Sequence, residues 1–297
     1  MSKKFVNIPR LDICTLSEAK KDDLMISRLS DYLEAHQNLV FPHRHSFYHL
    51  VYFTEGGGSH TIDFMHFPIQ PGQIYFMTPG QVHSWNFEGH MEGFVVNFSG
   101  TFFQSFLLRP EFIESFPFLN GVTSDSVINM ASILADDLTR MFDNLIIHSE
   151  LSYTRQEDMI RVLLLQIFIT VEQYHFGQGS EKGKTTLHPT IRDFNKLIEQ
   201  NFLDMRSPGA YATLLNVSPN HLNALVKEHL GKQAGEVIRE RVLLEAKRLL
   251  VNPKLTVSEI AYKLNFNDNS YFTRFFKKYG DVTPEVFRQK VINTHPA

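Results

Sequence analysis

Four histidines carry the most visible chemistry in this chain of 297 residues: His43, His45 and His49, and further along His83. In an extended segment side chains alternate, so His43, His45, Phe47 and His49 share one face of a strand. Imidazole sets of this kind bind zinc, iron, nickel or copper. They can equally hydrogen-bond an organic molecule, and because histidine has several roles without metal this second reading is the preferred one. Tyr52, Phe64, Tyr75, Phe76 and Trp85 are neighbours that could line a pocket for a sugar or other small polar molecule, although aromatic strand residues more often build core.

The elements that must position these rings read as strands over residues 39–99. Apolar and aromatic residues alternate there, as at Tyr48, Leu50, Tyr52 and at Ile74, Phe76, between the turn signals Glu55-Gly-Gly-Gly58, Pro71-Gly72 and Pro79-Gly80. Short strands with regular turns imply a barrel or sandwich, expected over about residues 20–100. From Ser124 the period turns helical, with Val127, Met130, Ile133, Leu134, Leu138, Met141, Phe142 and Leu145 behind a Ser124 or Asp125 cap. A second helix is expected from about Ser152. Its stripe of Ile160, Leu163, Leu164, Ile167, Phe168 and Val171, widened by Leu165 and Ile169, is broader than one packing face needs, so part of it is a candidate subunit interface.

Gly177 to Thr186 is a glycine-rich polar stretch and reads as a flexible linker, giving a first domain over 1–176 (helices about 101–176), a linker over 177–187 and a second domain over 188–297. Charge divides at nearly the same place: residues 1–189 hold 13 Lys and Arg against 21 Asp and Glu, whereas 190–297 hold 16 against 11. A basic module beside an acidic one suits a phosphate-binding partner such as DNA. The single cysteine, Cys14, excludes an internal disulfide and fits a reducing compartment. The N-terminal segment lacks a signal-peptide pattern and the most apolar run, Val162 to Val171, is far short of a bilayer span, so the expected location is cytoplasmic with no membrane partner.

The second domain contains an internal repeat. Ala212-Thr-Leu-Leu-Asn216-Val-Ser aligns with Ala261-Tyr-Lys-Leu-Asn265-Phe-Asn, and Leu222, Val226 and Lys227 align with Phe272, Phe276 and Lys277 one residue further on. Each unit reads as a short helix with a small Ala at a steep crossing, a turn at an Asn that tolerates left-handed dihedrals, and a second helix with a polar face: a helix-turn-helix, at about 208–229 and 256–279. Caps are expected at Ser207-Pro208, Ser218-Pro219, Thr256 and Thr283-Pro284.

The segment from Thr213 to Arg288 resembles the double helix-turn-helix domain of AraC-type bacterial transcription regulators, through Ile238-Arg-Glu-Arg241-Val-Leu-Leu-Glu-Ala246-Lys-Arg-Leu-Leu250, Thr256-Val-Ser-Glu-Ile-Ala261, Ser270-Tyr-Phe-Thr-Arg274-Phe-Phe-Lys-Lys278 and Thr283-Pro284-Glu-Val-Phe-Arg288. Asn265 and Asp281 depart from it, standing where the family usually has Gly. The resemblance implies that the two second helices enter successive major grooves of one bent duplex, about 34 Å apart. Candidate contacts are Ser218, Asn220, His221, Asn223, Ala224 and Lys227 on the first, and Asn269, Ser270, Thr273, Arg274, Lys277 and Lys278 on the second. Asn suits adenine, Arg guanine, Ala or Thr a thymine methyl, and Lys phosphate.

His43-Arg-His45-Ser-Phe-Tyr-His49 and Pro71-Gly72-Gln-Ile-Tyr-Phe-Met-Thr-Pro79-Gly80-Gln-Val-His83 resemble the two motifs of a cupin barrel. The resemblance brings His83 toward the first three histidines inside the barrel. It departs from the enzymatic form in having His49 for the usual Glu and a second motif shortened around Pro79. The fold expected is therefore a two-domain α+β chain, a cupin-like β-barrel with appended helices and an all-α double helix-turn-helix domain. The expected function is a ligand-responsive, DNA-binding regulator, a homodimer with RNA polymerase as a plausible partner and no cofactor. The alternative is a metal-dependent cupin enzyme fused to a DNA-binding tail, with His43, His45, His49 and His83 on the metal. It is disfavoured because no general acid and base pair accompanies the histidines.

Overall fold

A computed structural model of the chain describes residues 10–13, 23–36, 42–130, 132–177 and 188–294. These fall into two compact units, residues 10–177 and residues 188–294. Cys14 and the expected linker segment 178–187 lie outside the described residues.

The first unit is a sheet of β1 (Arg10–Leu11), β2 (Leu24–Arg28), β3 (His43–His45), β4 (Tyr48–Ile62), β5 (Met65–Pro68), β6 (Gln73–Met77), β7 (Val82–Phe98) and β8 (Val127–Asn129), with helix α1 (Leu29–Ala35) after β2. Its pairings are antiparallel except β1 with β3. Strands β4 and β7 pair along their whole length, from Tyr48 opposite Phe98 to Ile62 opposite His83. The first half of β4 also pairs with β6 and the second with β5, while the two ends of β7 pair with β3 and β2. The same two strands thus supply both layers of a sheet doubled over on itself.

The fold-over occurs at Glu55 to Gly58, which the sequence marks as a turn. It is a bulged bend within one strand instead, with register shifts between Phe53 and Glu55 and between Glu55 and Gly57. Gly56 and Gly58 have φ of 111° and 110°, and a Cβ on Gly58 would collide with the Asn86 carbonyl. Glycine is what allows the ladder to continue through that geometry. The real hairpin turn is Asp63-Phe64, with φ of 46° and 72°; lacking an Asn-Gly pair, it gives no turn signal.

The inner face carries Val51, Phe53, Ile62, Tyr75, Met77, Trp85 and Val95, which cluster with Leu29 and Tyr32 of α1. The outer face, with Leu50, Tyr52, Ile74, Phe76, Phe94, Val96 and Phe98, is covered by apolar residues of α2 (Ser132–Glu150) and α3 (Gln156–Gly177), among them Leu138, Phe142, Leu145, Ile160, Leu164, Ile167, Phe168 and Val171. Covering one face of a sheet with helices buries what would otherwise be an open apolar surface.

The helix expected from Ser124 begins eight residues later, at Ser132. Thr123–Asp125 is a 3-10 turn, and β-branched Val127 and Ile128 pair with Tyr75 and Ile74 as an edge strand; β-propensity and burial of Ile128 prevail over the helical spacing. The helix expected from Ser152 begins at Gln156, after Arg155 at a φ of 73°. Residues 101–130, expected among the appended helices, hold the 3-10 turns Pro110–Ser115 and Pro117–Leu119, which seat Phe116 and Phe118 against Phe168.

The second unit is helical: α4 (Pro189–Asn201), α5 (Pro208–Leu214), α6 (Pro219–Leu230), α7 (Ala234–Leu250), α8 (Val257–Lys263), α9 (Asn269–Gly280) and α10 (Pro284–Thr294). One core runs through it from Ile191 and Phe194 to Phe272 and Phe276. No helix among the described residues is long and apolar enough to cross a membrane.

Candidate functional site

Cross-strand register assembles the histidines. His43 lies directly opposite His83, and His49 opposite Asn97. His43, His45, His49 and His83 are all at most 3% exposed. The nitrogens of His43, His45 and His83 that could act as ligands lie within 4.8 Å of one another. The sequence picks out these four, and the structure brings all of them together.

A fifth member, His60, is missing from the sequence reading. It is buried opposite Trp85, stacks on that indole at 3.3 Å, and its Nε2 lies 3.0 Å from His83 Nδ1. Alternation counted from His49 points His60 outward; the two register shifts at the glycine bend reverse the parity and turn it in. Asn97 is a second omission: its Oδ1 accepts from His49 Nδ1 at 2.5 Å, which fixes the His49 tautomer.

His60, His83 and His45 form a chain, since His83 Nε2 also lies 2.8 Å from His45 Nε2. Each neutral imidazole has one donor and one acceptor. Whichever direction the protons run, the far nitrogens, His45 Nδ1 and His60 Nδ1, are left as one buried donor and one buried acceptor, and neither has a hydrogen-bond partner among the described residues. Such groups are costly to bury without a partner. Burial, reinforced by the neighbouring imidazoles, holds His45, His60 and His83 well below the ordinary value of 6.5. Burial likewise brings His49 down to about 3, with the Asn97 bond opposing it and His43 adding to it. The rings are neutral at pH 7, the form that both metal ions and hydrogen-bonding ligands require.

Of the expected pocket aromatics, Tyr75 and Trp85 lie beside His60, with Tyr75 at 5.0 Å between ring centres. Tyr52 does not join them. It stands on the outer face, stacked on Phe142 of α2 and donating to the Ala135 carbonyl at 3.1 Å, because its parity on β4 is opposite to that of His49. Phe76 is likewise outer, stacked on Phe118 at 4.1 Å, and Phe64 occupies the hairpin turn.

In the second unit the two repeats are matched at the level of single hydrogen bonds. Val217 N–H donates to the Ala212 carbonyl and Asn216 N–H to Thr213; Phe266 N–H donates to Ala261 and Asn265 N–H to Tyr262. Asn216 and Asn265 have φ of 55° and 57°. Each first helix therefore ends in the same left-handed cap, with an asparagine supplying the conformation. Ala212 and Ala261 are completely buried at the crossings. The departures from glycine at Asn265 and Asp281 are accommodated in the left-handed region, Asp281 at 65°. Ser218 caps α6 by accepting from His221 N–H, and Thr256 forms a reciprocal capping box with Glu259. Asp268, not singled out in the sequence, caps α9 through Tyr271 N–H at 2.7 Å. Ser207 makes no side-chain cap bond.

The second helices expose Asn220, His221, Ala224 and Lys227 on α6, after an exposed Ser218, and Ser270, Arg274, Lys277 and Lys278 on α9. Thr273 and Asn269 are half-buried. Asn223 is half-buried too, and its Oδ1 accepts from Ala234 N–H at 3.0 Å, tying α6 to the start of α7 and not to solvent. Tyr271 is half-exposed beside Ser270 and Arg274 and joins this face; its place directly before the core residue Phe272 hides it in the sequence.

A sheet unit enclosing an incomplete polar cluster, in one chain with a doubled helix-turn-helix, defines a ligand-sensing DNA-binding regulator. Residues 211–290 match the family described as a helix-turn-helix domain, and residues 30–165 match the AraC-like ligand binding domain. The chain belongs to the AraC-type transcription regulators. It is similar to the HTH-type transcriptional activator RhaR of Cronobacter sakazakii, 22% identical over 258 residues that span 86% of this chain and 88% of that one. It is also similar to the HTH-type transcriptional regulator GlxA of Rhizobium meliloti, 38% identical over 114 residues, 38% of this chain and 35% of the relative. Among solved structures it is similar to ToxT from Vibrio cholerae O395, with 14% identity, a TM-score of 0.44 and coverage of 91% of this chain and 99% of that one.

Proposed function

We propose that this regulator works in the cytoplasm, that its sensing domain, residues 1–176, takes a small organic effector at the histidine cluster, and that its domain 188–297 reads two successive major grooves of one duplex. The observation that carries the DNA reading is the pair of matched helix, left-handed turn, helix units, whose second helices expose Asn220, His221, Ala224 and Lys227 on one and Ser270, Arg274, Lys277 and Lys278 on the other. Arg274 suits a guanine edge, and the lysines suit phosphates. The effector reading rests on the unpartnered nitrogens of His45 and His60: a molecule offering one acceptor and one donor, as a sugar hydroxyl pair does, would complete the chain. A homodimer through α3 is supported by Met159, Val162 and Ile169, which are 40%, 49% and 41% exposed on that helix. RNA polymerase is the partner that promoter control would require.

The test of the DNA reading is selection of random duplexes by the full-length chain, followed by affinity at rising salt. An enriched sequence whose binding weakens as salt rises is expected, because neutralised phosphates release counterions; no enrichment overturns the reading.

A second reading, a divalent metal on His43, His45 and His83, is favoured by the convergence of those three buried imidazoles, a donor set that fits zinc or copper. Elemental analysis of gently purified protein separates the two. Stoichiometric metal that is lost in His45→Ala supports the metal reading, and metal-free protein excludes it.

A further inference from the structure

Tyr52, apart from the histidines, lines a cavity of its own. A cleft of about 500 Å³ runs between the outer face of the sheet and helix α2, walled by Arg28, Tyr52, Thr54 and Phe94 on the sheet side and by Ala135, Asp136 and Thr139 on the helix side, with Asn129 among the groups at its end. Ligand pockets typically run from about 300 to 1,000 Å³. The walls mix a guanidinium, a carboxylate, an amide and three hydroxyls with the apolar surfaces of Phe94 and Ala135. Arg28 is held in place, 4.5 Å over the Phe94 ring and 2.6 Å from the Asp143 carboxylate of α2. Arg28 is already paired with Asp143, and the Tyr52 and Thr139 hydroxyls both donate to the Ala135 carbonyl, so with the Asp136 carboxylate the lining is rich in acceptors, which suits a ligand carrying several hydroxyl donors.

We propose that this cleft is a second small-molecule site, separate from the histidine cluster, and that it takes an uncharged polyhydroxylated molecule the size of a monosaccharide. It rests on the sensing role given to the sheet unit and adds a place where occupancy reads out on helix position. Helix α2 meets the sheet here through the Tyr52 hydroxyl on Ala135, the Tyr52–Phe142 stack and the Arg28–Asp143 pair. A ligand bonded to both walls fastens α2 to the sheet, and α2 packs along α3, the helix proposed to pair subunits.

The experiment is thermal melting of the full-length chain against a panel of neutral aldohexoses and aldopentoses, with Ala135→Trp to fill the cleft, Asp136→Ala and Thr54→Val to strip its bonds, and His45→Ala as the barrel control. Sugars raise every melting point by exclusion from the surface, in a linear way; a bound sugar adds a saturable rise. The proposal expects a saturable rise that persists in His45→Ala, is absent when Ala135→Trp is added to His45→Ala, and is weakened at least several-fold when Asp136→Ala or Thr54→Val is added to it. A rise lost in His45→Ala and kept in Ala135→Trp moves the site to the barrel and overturns the cleft while leaving the sensing role intact. The absence of a saturable response in any form overturns the cleft's ligand class.

A different observation supports a second inference, in the helical unit. The segment before α5 grips the turn of the other repeat: the Arg206 guanidinium lies 4.0 Å over the Phe266 ring and donates to the Leu264 carbonyl, while Asn265 Nδ2 donates to Asp204 Oδ1 at 3.0 Å. Both repeats also pack on α7. We infer that this clasp sets the separation of the two reading helices, with Arg206 and Asp204 as positioning residues. One inserted base pair between half-sites rotates them by about 34–36°. The wild type should lose roughly 5- to 150-fold in affinity on that insertion, the cost of a lost base contact. Arg206→Ala and Asp204→Ala should flatten the dependence on spacing. A uniform loss at every spacing, or no change, overturns the clasp.

Discussion

The barrel interior and the reading helices hold their polar groups in opposite ways. Inside the sheet, five imidazoles are buried and crowded, and two of their nitrogens, His45 Nδ1 and His60 Nδ1, have no hydrogen-bond partner among the described residues. On α6 and α9 the polar groups are exposed, and their value lies in being held at one spacing by buried alanines and left-handed turns. A sensor built on burial should be sensitive to protonation, whereas a reader built on turn geometry should be sensitive to backbone and packing changes.

The largest expected effect breaks the comparison by acid. Histidines whose folded values are depressed bind protons more readily when unfolded, so their contribution is present above 6.5 and is lost as pH falls below it. Between about pH 6.5 and 5 the loss is roughly 2 kcal/mol per buried histidine. The sheet unit of metal-free protein should therefore melt first, visible in the fluorescence of Trp85, the single tryptophan. In the helical unit, backbone and side-chain bonds from Thr256 hold the Glu259 carboxyl below its ordinary 4.5, so that cap persists until pH falls beneath that value. Simultaneous loss of both units near pH 6 would erase the distinction.

Next in size is overpacking at a crossing. Ala212→Leu or Ala261→Leu should destabilise the helical unit by about 1–3 kcal/mol and abolish DNA binding while leaving Trp85 fluorescence unchanged. Arg274→Ala should relax preference at one base position by ~1–3 kcal/mol in a binding-site selection. Unchanged preference would remove Arg274 from the base contacts. Smaller still, Thr256→Ala should cost roughly 1 kcal/mol through the lost capping box, and Ser207→Ala, which breaks no cap bond, a good deal less. Equal effects in denaturant melts would show that the two caps are alike.

The helical unit is the more legible of the two from sequence, because its determinants are local. Alanine, asparagine and cap residues sit at fixed offsets within each repeat, and even Asn265 and Asp281 in place of glycine take left-handed dihedrals. The sheet is legible where burial alternates, as from His43 to His49, although bends at Ser46 and Phe47 divide that run between β3 and β4 where one strand is expected. It fails beyond Glu55, because two register shifts reverse the parity and no residue type announces that. That single irregularity hides His60. Tyr52 fails for another reason: it lies three residues from His49 on an unbroken part of β4, so alternation puts it on the opposite face, and its aromatic character does not override that parity. Helical spacing from Ser124 misleads because a three-residue edge strand is too short to show a period of its own.

The most direct measurement is selection of random duplexes by the full-length chain, followed by interference footprinting of the enriched sites. Two clusters of major-groove contacts about 10–10.5 base pairs apart on one face of the duplex are the predicted result. A single cluster, or sites bound no better than random duplex, would contradict a protein that reads DNA with two matched helices.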